Sequence, residues 1–198
     1  MFHLAMWRER LLHGMTEFAE GRQVPPAEGD TDEINDAELP TGIGTPLADA
    51  AARSDNLLGE LIGVYRKLGD RPFVWRGAAR TTTEAVLRNS YTHPRVHMAE
   101  YLKENGDSTA AARLIEEAEA QMREAGAPPL ILGTVLYNLA CVRATQGRPD
   151  DALTLLEEAI PLRADVKTMA PRDADLDSLR SDPRFMALIP SAATTGEG

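Results

Sequence analysis

Two histidines, His93 and His97, stand four residues apart in the stretch HPRVH and form the clearest candidate metal-binding pair of the sequence. Residues four apart lie on one face of an α-helix, so a helix through this stretch would present both imidazole rings together. Pro94 lies between them and predicts a kink, because its ring clashes with the carbonyl of Ser90. Imidazole nitrogen suits zinc, nickel and iron, and three protein ligands with an open position are typical of a catalytic metal site.

His3, in the stretch HLAMW, is the candidate for a third ligand. It shares a helical stripe with Trp7 and would have to face the pair from another helix. His13 lies ten residues later on a different face, where we expect it to be solvated. Glu100, one turn beyond His97, is the nearest carboxylate to nominate as a general base, and otherwise no catalytic residue stands out. Taken singly, a histidine such as His93 or His97 is more often a surface or core residue than a metal ligand.

Apolar residues at helical spacing predict three helices in the first half of the chain. The first covers residues 2–18, the second runs from an N-cap at Thr45 to Gly69, and the third opens with a capping box at Thr81 and ends near Glu104. A long loop, rich in proline, glycine and acidic residues, separates the first two helices and contains one short turn at residues 32–38. The stretch DRPFVWRGAAR is predicted to be a loop, and we expect no β-sheet.

Composition and charge exclude several classes of protein. The net charge of −10 and the pI near 4.9 disfavour binding to nucleic acid and to anionic membranes, which require clustered lysine and arginine. Cys141 is the single cysteine, so no internal disulfide can form, and we expect a small buried thiol there. No apolar stretch approaches the roughly 20 residues of a membrane span. With no secretory signal at residue 1, these features predict a cytoplasmic protein.

The sequence repeats itself from residue 105 onward, with an offset of 41 residues. Gly106 aligns with Gly147, Ala111 with Ala152, Ile115 with Leu156, and Ala118 with Ala159. The second copy, LYNLACVRATQGRPDDALTLLEEAI, resembles a tetratricopeptide repeat. The tail DADLDSLRSDPRFMALI resembles the segment that often closes bacterial arrays of this kind, where a short helix covers the last apolar face.

The amino-terminal part resembles the DinB/YfiT superfamily of four-helix bundles, and within it the ClbS/DfsB-like branch. The residues that carry the resemblance are, in order, HLAMW, an acidic DEIN segment, a long helix, W-x-G and HPRVH. It covers about residues 1–104, and the family's first helix, which should precede HLAMW, is missing. The resemblance implies a divalent metal ion, zinc or nickel, on His3, His93 and His97, with Trp7 and Asn35 near the pocket. Several members are thiol-dependent transferases or isomerases, which implies a low-molecular-weight thiol as cofactor.

The sequence thus predicts an all-α chain that begins as a DinB-like bundle, residues 1–104. Two tetratricopeptide-like hairpins with a capping segment follow at residues 105–190, and a disordered tail occupies residues 191–198. The missing helix would leave an exposed apolar stripe, so we expect a homodimer formed through the N-terminal helices. Two functions remain open: a metal-dependent protein, which could be a thiol-dependent transferase, and a non-enzymatic module whose repeats bind a protein or peptide. Whether the protein is an enzyme stays open too.

Overall fold

The chain forms two compact units, which divide between Pro94 and Arg95 in a computed structural model that describes residues 1–24, 29–76 and 78–189. Helices dominate both units, so the predicted all-α class is confirmed. The division lies within a helix that begins at His93 and ends at Glu104. The sequence predicted that the first domain would end at Glu104, the last residue of this helix. The predicted disordered tail, residues 191–198, lies outside the described residues.

The first unit is built around two long helices that pack on each other. Its elements are α1 (Phe2–Ala19), α2 (Thr31–Glu38), α3 (Leu47–Leu68), β1 (Pro72–Trp75), β2 (Ala79–Thr81) and α4 (Thr82–Leu87), with a 3-10 turn at Leu39–Gly42. The segment at 32–38, predicted as a turn, is a helix whose N-cap Asp30 accepts the N–H of Asp32 at 2.8 Å. The N-cap of α3 is Pro46 rather than the predicted Thr45, while Gly69 ends that helix with a φ of 63°.

A small β-hairpin replaces the loop that was expected at DRPFVWRGAAR. Strands β1 and β2 pair antiparallel, so the expectation of no sheet was wrong. Burial alternates along both strands, with Phe73 and Ala79 in the core and Val74 exposed. Phe73 also stacks on Trp75 at a centroid distance of 5.9 Å. Strands of four and three residues are too short for alternation to be recognised in the sequence.

The apolar stripe of α1 is buried inside the first unit. Leu11 and Met15 have no exposed surface and share a core cluster with Leu61 of α3. The apolar stripe of α1 is therefore covered by residues of its own unit. Large exposed apolar side chains lie instead around the start of α3, where Ile43 is 84% and Leu47 is 74% exposed.

The second unit is a stack of helical hairpins. It takes α5 (His93–Glu104) from Arg95 onward, and its other elements are α6 (Ser108–Glu124), α7 (Pro129–Thr145), α8 (Pro149–Leu162), α9 (Val166–Met169) and α10 (Pro183–Leu188), with 3-10 turns at Ala170–Arg172 and Ala174–Leu179. The residues aligned by the repeat, Ala111, Ile115 and Ala118 in α6 and Ala152, Leu156 and Ala159 in α8, are all buried. Equivalent positions of the two repeat copies therefore both contribute buried side chains to the packing of the helices.

The carboxy-terminal segment joins the core of these hairpins. Leu176, Leu179 and Phe185 pack in one cluster with α7 and α8, and each is less than 5% exposed. Along the described part of the chain, no helix combines the length and the apolar character that crossing a membrane requires.

Candidate metal centre

His3 and His93 meet across the first unit although 90 residues separate them in sequence. Their Nε2 atoms lie 3.4 Å apart, and their ring centroids lie 5.7 Å apart at an interplanar angle of 37°. His3 stands in the first turn of α1 and is half-buried, while His93 is the first residue of α5 and is exposed. Two imidazoles thus present nitrogen atoms to one point at the surface.

The helix that carries the histidine pair changes its pitch immediately before the pair. Residues Arg88–Thr92 form a π-helical turn, and the N–H of His93 bonds to the carbonyl of Arg88, five residues back. Pro94 has no N–H to bond the carbonyl of Ser90, so a regular α-helix would be broken here. The kink predicted from Pro94 therefore takes the form of a π turn, a feature often found at functional sites.

His97 lies one helical turn beyond His93 on α5, as the spacing predicts. Nitrogen atoms of His3, His93 and His97 all lie within 4.8 Å of one another. Because α5 runs without interruption from His93 to Glu104, helix geometry fixes the position of His97 relative to His93. The Nδ1 atom of His97 lies 3.0 Å from Oε2 of Glu100, so this carboxylate orients the ring.

Trp7 and Asn35, the two residues that the DinB-like resemblance assigned to a pocket, bond to each other. The indole N–H of Trp7 donates to Oδ1 of Asn35 at 3.1 Å, and the carbonyl of Trp7 accepts from Nδ2 of Asn89 at 3.1 Å. The Trp7 ring lies edge-on to His3 at a centroid distance of 6.3 Å. Trp7 is only 7% exposed, so its ring is a buried contact for His3. Its two hydrogen bonds also connect α1 to α2 and to the π turn.

Arg8 is a buried cation that the sequence analysis did not single out. Its side chain is 5% exposed, and Nη1 donates to the carbonyl and the hydroxyl of Ser54 at 2.8 and 2.7 Å. Burial lowers the pKa of Arg8, and the negative charge of Asp55 opposes that effect. A signal was present in the sequence, because Arg8 is three residues from both Ala5 and Leu11 and so lies on the buried face of α1.

Cys141 lies in the second unit, in the buried position that its neighbours predict. Its Sγ atom is 3.6 Å from Oδ2 of Asp173, and the hydroxyl of Tyr137 donates to the same oxygen at 2.7 Å. Burial, with the nearby charge of Asp173, raises the pKa of the Cys141 thiol well above its usual range. Since the thiolate is the reactive form, this cysteine is a structural residue.

Comparison with protein families matches residues 92–165 to a tetratricopeptide repeat. The matched segment covers helices α5 to α8, so the tetratricopeptide-type array predicted from the repeat is confirmed over this part of the chain. Neither a curated protein nor a solved structure matches the sequence. The DinB-like resemblance of the first unit gains no support from these comparisons.

Proposed function

We propose that His3, His93 and His97 bind a divalent transition-metal ion, zinc or nickel. The observation that carries the proposal is the separation of 3.4 Å between Nε2 of His3 and Nε2 of His93. Two imidazole nitrogens that ligate one tetrahedral zinc ion, at about 2.0–2.1 Å each, lie about 3.3 Å from one another. The pair therefore has the spacing of two ligands to one ion, without rearrangement of the two helices.

His97 supplies the third ligand through Nε2. When Nδ1–H of His97 donates to Glu100, the lone pair is left on Nε2, which is the tautomer that ligation requires. Carboxylate partners of this kind usually hold metal-bound histidines in orientation. Three protein ligands leave one position for a water molecule or an exogenous ligand, the arrangement typical of catalytic zinc.

The chemistry that fits such a site is activation of a small nucleophile. A metal ion lowers the pKa of a coordinated thiol or water, so that the anion forms near neutral pH. We therefore propose a low-molecular-weight thiol as cosubstrate and thiol-dependent group transfer as the activity. Trp7 and Asn35 would position the site, because their hydrogen bond fixes the ring that lies against His3.

Elemental analysis after incubation with zinc or nickel and exhaustive dialysis tests the metal proposal. We expect about one equivalent per chain in the wild type and a loss of metal in a His93→Ala/His97→Ala double variant. His13→Ala is the matched control, since His13 is an exposed histidine elsewhere on α1 and should leave metal content unchanged. A wild type that retains no metal would contradict the proposal.

Binding of a protein or peptide partner is a second candidate function. The tetratricopeptide match over residues 92–165 supports it, because stacked helical hairpins present extended surfaces for recognition. Ser108, Arg113 and Gln146 line a cleft on this region, and Arg113 is exposed. Affinity capture with the full chain should lose specific partners in an Arg113→Glu variant and keep them in His93→Ala/His97→Ala. Identical capture by wild type and Arg113→Glu would count against a partner at this cleft.

A further inference from the structure

Arg8 has an uncommon environment for a buried guanidinium group. Charged side chains are rarely this buried without an opposite charge, because desolvation of an unpaired ion costs several kcal/mol. Within the described part of the chain, no carboxylate lies within salt-bridge distance of Arg8. Its partners are instead the carbonyl and hydroxyl of Ser54 and, at 3.4 Å, the hydroxyl of Ser90. Among the described residues, the Arg8 guanidinium therefore donates its hydrogen bonds to neutral oxygen atoms only.

The Nε–Nη2 edge of the Arg8 guanidinium makes few hydrogen bonds. Nη1 donates both of its hydrogens to Ser54, but Nη2 donates to no acceptor among the residues the structure describes. Nε has a single long contact, to Ser90. The Nε–Nη2 edge is one of the faces with which arginine binds a carboxylate through two parallel hydrogen bonds. Arg8 therefore offers a carboxylate-binding fork on a side chain that is otherwise buried.

This edge lies on the same helix seam as the histidines. His3 on α1 faces His93, and Arg8, five residues further along α1, faces Ser90 on the π turn, so the two segments run antiparallel. At 1.5 Å per residue, the step from His3 to Arg8 advances about 7.5 Å along α1. Because the side chains of His3 and Arg8 leave α1 about 140° apart, a ligand a few bonds long would contact both groups only through the length of the Arg8 side chain.

We propose that Arg8 binds the carboxylate of a small organic acid whose other end reaches His3, His93 and His97. The span to the histidines rests on the proposed metal site, whereas the contact between carboxylate and Arg8 does not. A single guanidinium with the negative Asp55 nearby suits a monoanion better than a phosphate dianion. The substrate class is therefore a short monocarboxylic acid with a metal-binding group, such as a mercapto acid.

The carboxylate contact is tested on the metal-free full chain by titration with carboxyl-13C-labelled propionate, followed by NMR. We expect saturable binding by the wild type, none of the neutral analogue propionamide, and at least tenfold weaker binding of propionate by Arg8→Met, because the lost bonds are charge-assisted. Arg53→Met is the matched control, since it removes an exposed arginine of the same unit and should bind propionate as the wild type does. Ser90→Ala should also bind, because the fork itself remains.

The span to the histidines is tested with zinc-loaded protein and 3-mercaptopropionate. We expect this mercapto acid to bind at least tenfold more tightly than propionate to the wild type, and to lose that advantage in His93→Ala/His97→Ala. If Arg8→Met does not unfold cooperatively, Arg8→Lys replaces it, because lysine keeps the charge and lacks the planar fork. Equal propionate binding by wild type and the Arg8 variant, or none by the wild type, would overturn the proposal. If the wild type binds propionate but retains no metal, the Arg8 carboxylate site is supported and the proposed metal centre is contradicted.

Discussion

The Nδ1 atom of His97 lies 3.0 Å from Oε2 of Glu100, three residues further along the same helix. If His97 is a metal ligand, Glu100 fixes its tautomer and raises its basicity, so Glu100→Gln should weaken zinc affinity by about 10–100-fold. Competition with a chromogenic chelator measures this affinity directly. Both side chains are exposed, so the fold should be unaffected.

Glu104→Gln provides the comparison for Glu100→Gln. Glu104 is another exposed glutamate of α5, one turn further on, and its replacement removes the same charge. Zinc affinity should stay within about twofold of the wild type, since screening leaves little long-range effect. An equal loss in both variants would mean that charge near α5, and not orientation of His97, governs the affinity.

Long elements with regular periodicity were predictable from the sequence. The bounds of α1 and the end of α3 agree with the apolar spacing and with Gly69, whose positive φ only glycine adopts readily. The repeat correctly placed Ala111 and Ala152 in equivalent buried positions. Periodicity reports which face a residue occupies, and that is all these predictions needed.

Short elements and long-range contacts could not be predicted from the sequence. The hairpin at Phe73 has too few residues for a pattern, and its formation depends on packing against α1. The spacing of His93 and His97 predicted a shared face, but nothing local could place His3 within 3.4 Å of His93. Arg8 was missed although its spacing from Ala5 and Leu11 places it on the buried face of α1, because arginine is ordinarily a surface residue.

Gly133 lies where α7 packs tightly against the end of α8. A Cβ atom at this position would lie 3.0 Å from the Cβ atoms of Leu162 and Arg163, neither of which can rotate away. Gly133→Ala should therefore destabilise the protein by about 1–3 kcal/mol, even though alanine favours the helix by about 1 kcal/mol. Urea denaturation, followed by circular dichroism, gives the free energy of unfolding.

Gly59 shows the opposite case in the middle of α3. It is exposed, and a Cβ built there would meet no atom within 4 Å beyond its chain neighbours and the adjacent backbone of α3. Gly59→Ala should therefore stabilise the protein by about 0.5–1 kcal/mol through helix propensity alone. If both glycine variants changed stability in the same direction, packing at Gly133 would not be the deciding effect.

Tyr137 links α7 to the carboxy-terminal segment through its bond of 2.7 Å to Asp173. Tyr137→Phe should lower the free energy of unfolding by about 1–3 kcal/mol at neutral pH, because the partly buried carboxylate of Asp173 loses a donor. Burial, together with that bond, raises the pKa of Tyr137, so its contribution is complete below the unfolded pKa of about 10 and declines at higher pH. The difference between the two proteins should narrow above that pH in urea titrations, and a constant difference would argue against the raised pKa.

The apolar stripe of α1 is buried, so the exposed side chains of Ile43 and Leu47, near the start of α3, are the candidate contact for the homodimer expected from the sequence. We predict a homodimer at tens of micromolar in sedimentation velocity. Leu47→Asp should shift the population toward monomer, because a charge would be buried in the contact. Val74→Asp, at another exposed apolar residue of the same unit, should leave the dimer intact. A wild type that sediments only as monomer would remove the basis for this contact.

Asp70 connects the end of α3 to the start of α4, where its Oδ1 accepts the N–H of Thr83 at 3.3 Å. Hydrogen bonds from the Thr83 and Thr81 hydroxyls lower the pKa of Asp70, against a weaker opposing effect of burial. A depressed pKa contributes stability that is complete above the unfolded value, about 3.9, and is lost as pH falls through the folded value. Asp70→Asn should therefore unfold at a lower temperature than the wild type at pH 7, and the two melting temperatures should converge below about pH 3. Glu60→Gln removes an exposed carboxylate from α3 and controls for net charge, so convergence in that variant as well would show that general charge, and not the threonine bonds, sets the acid sensitivity.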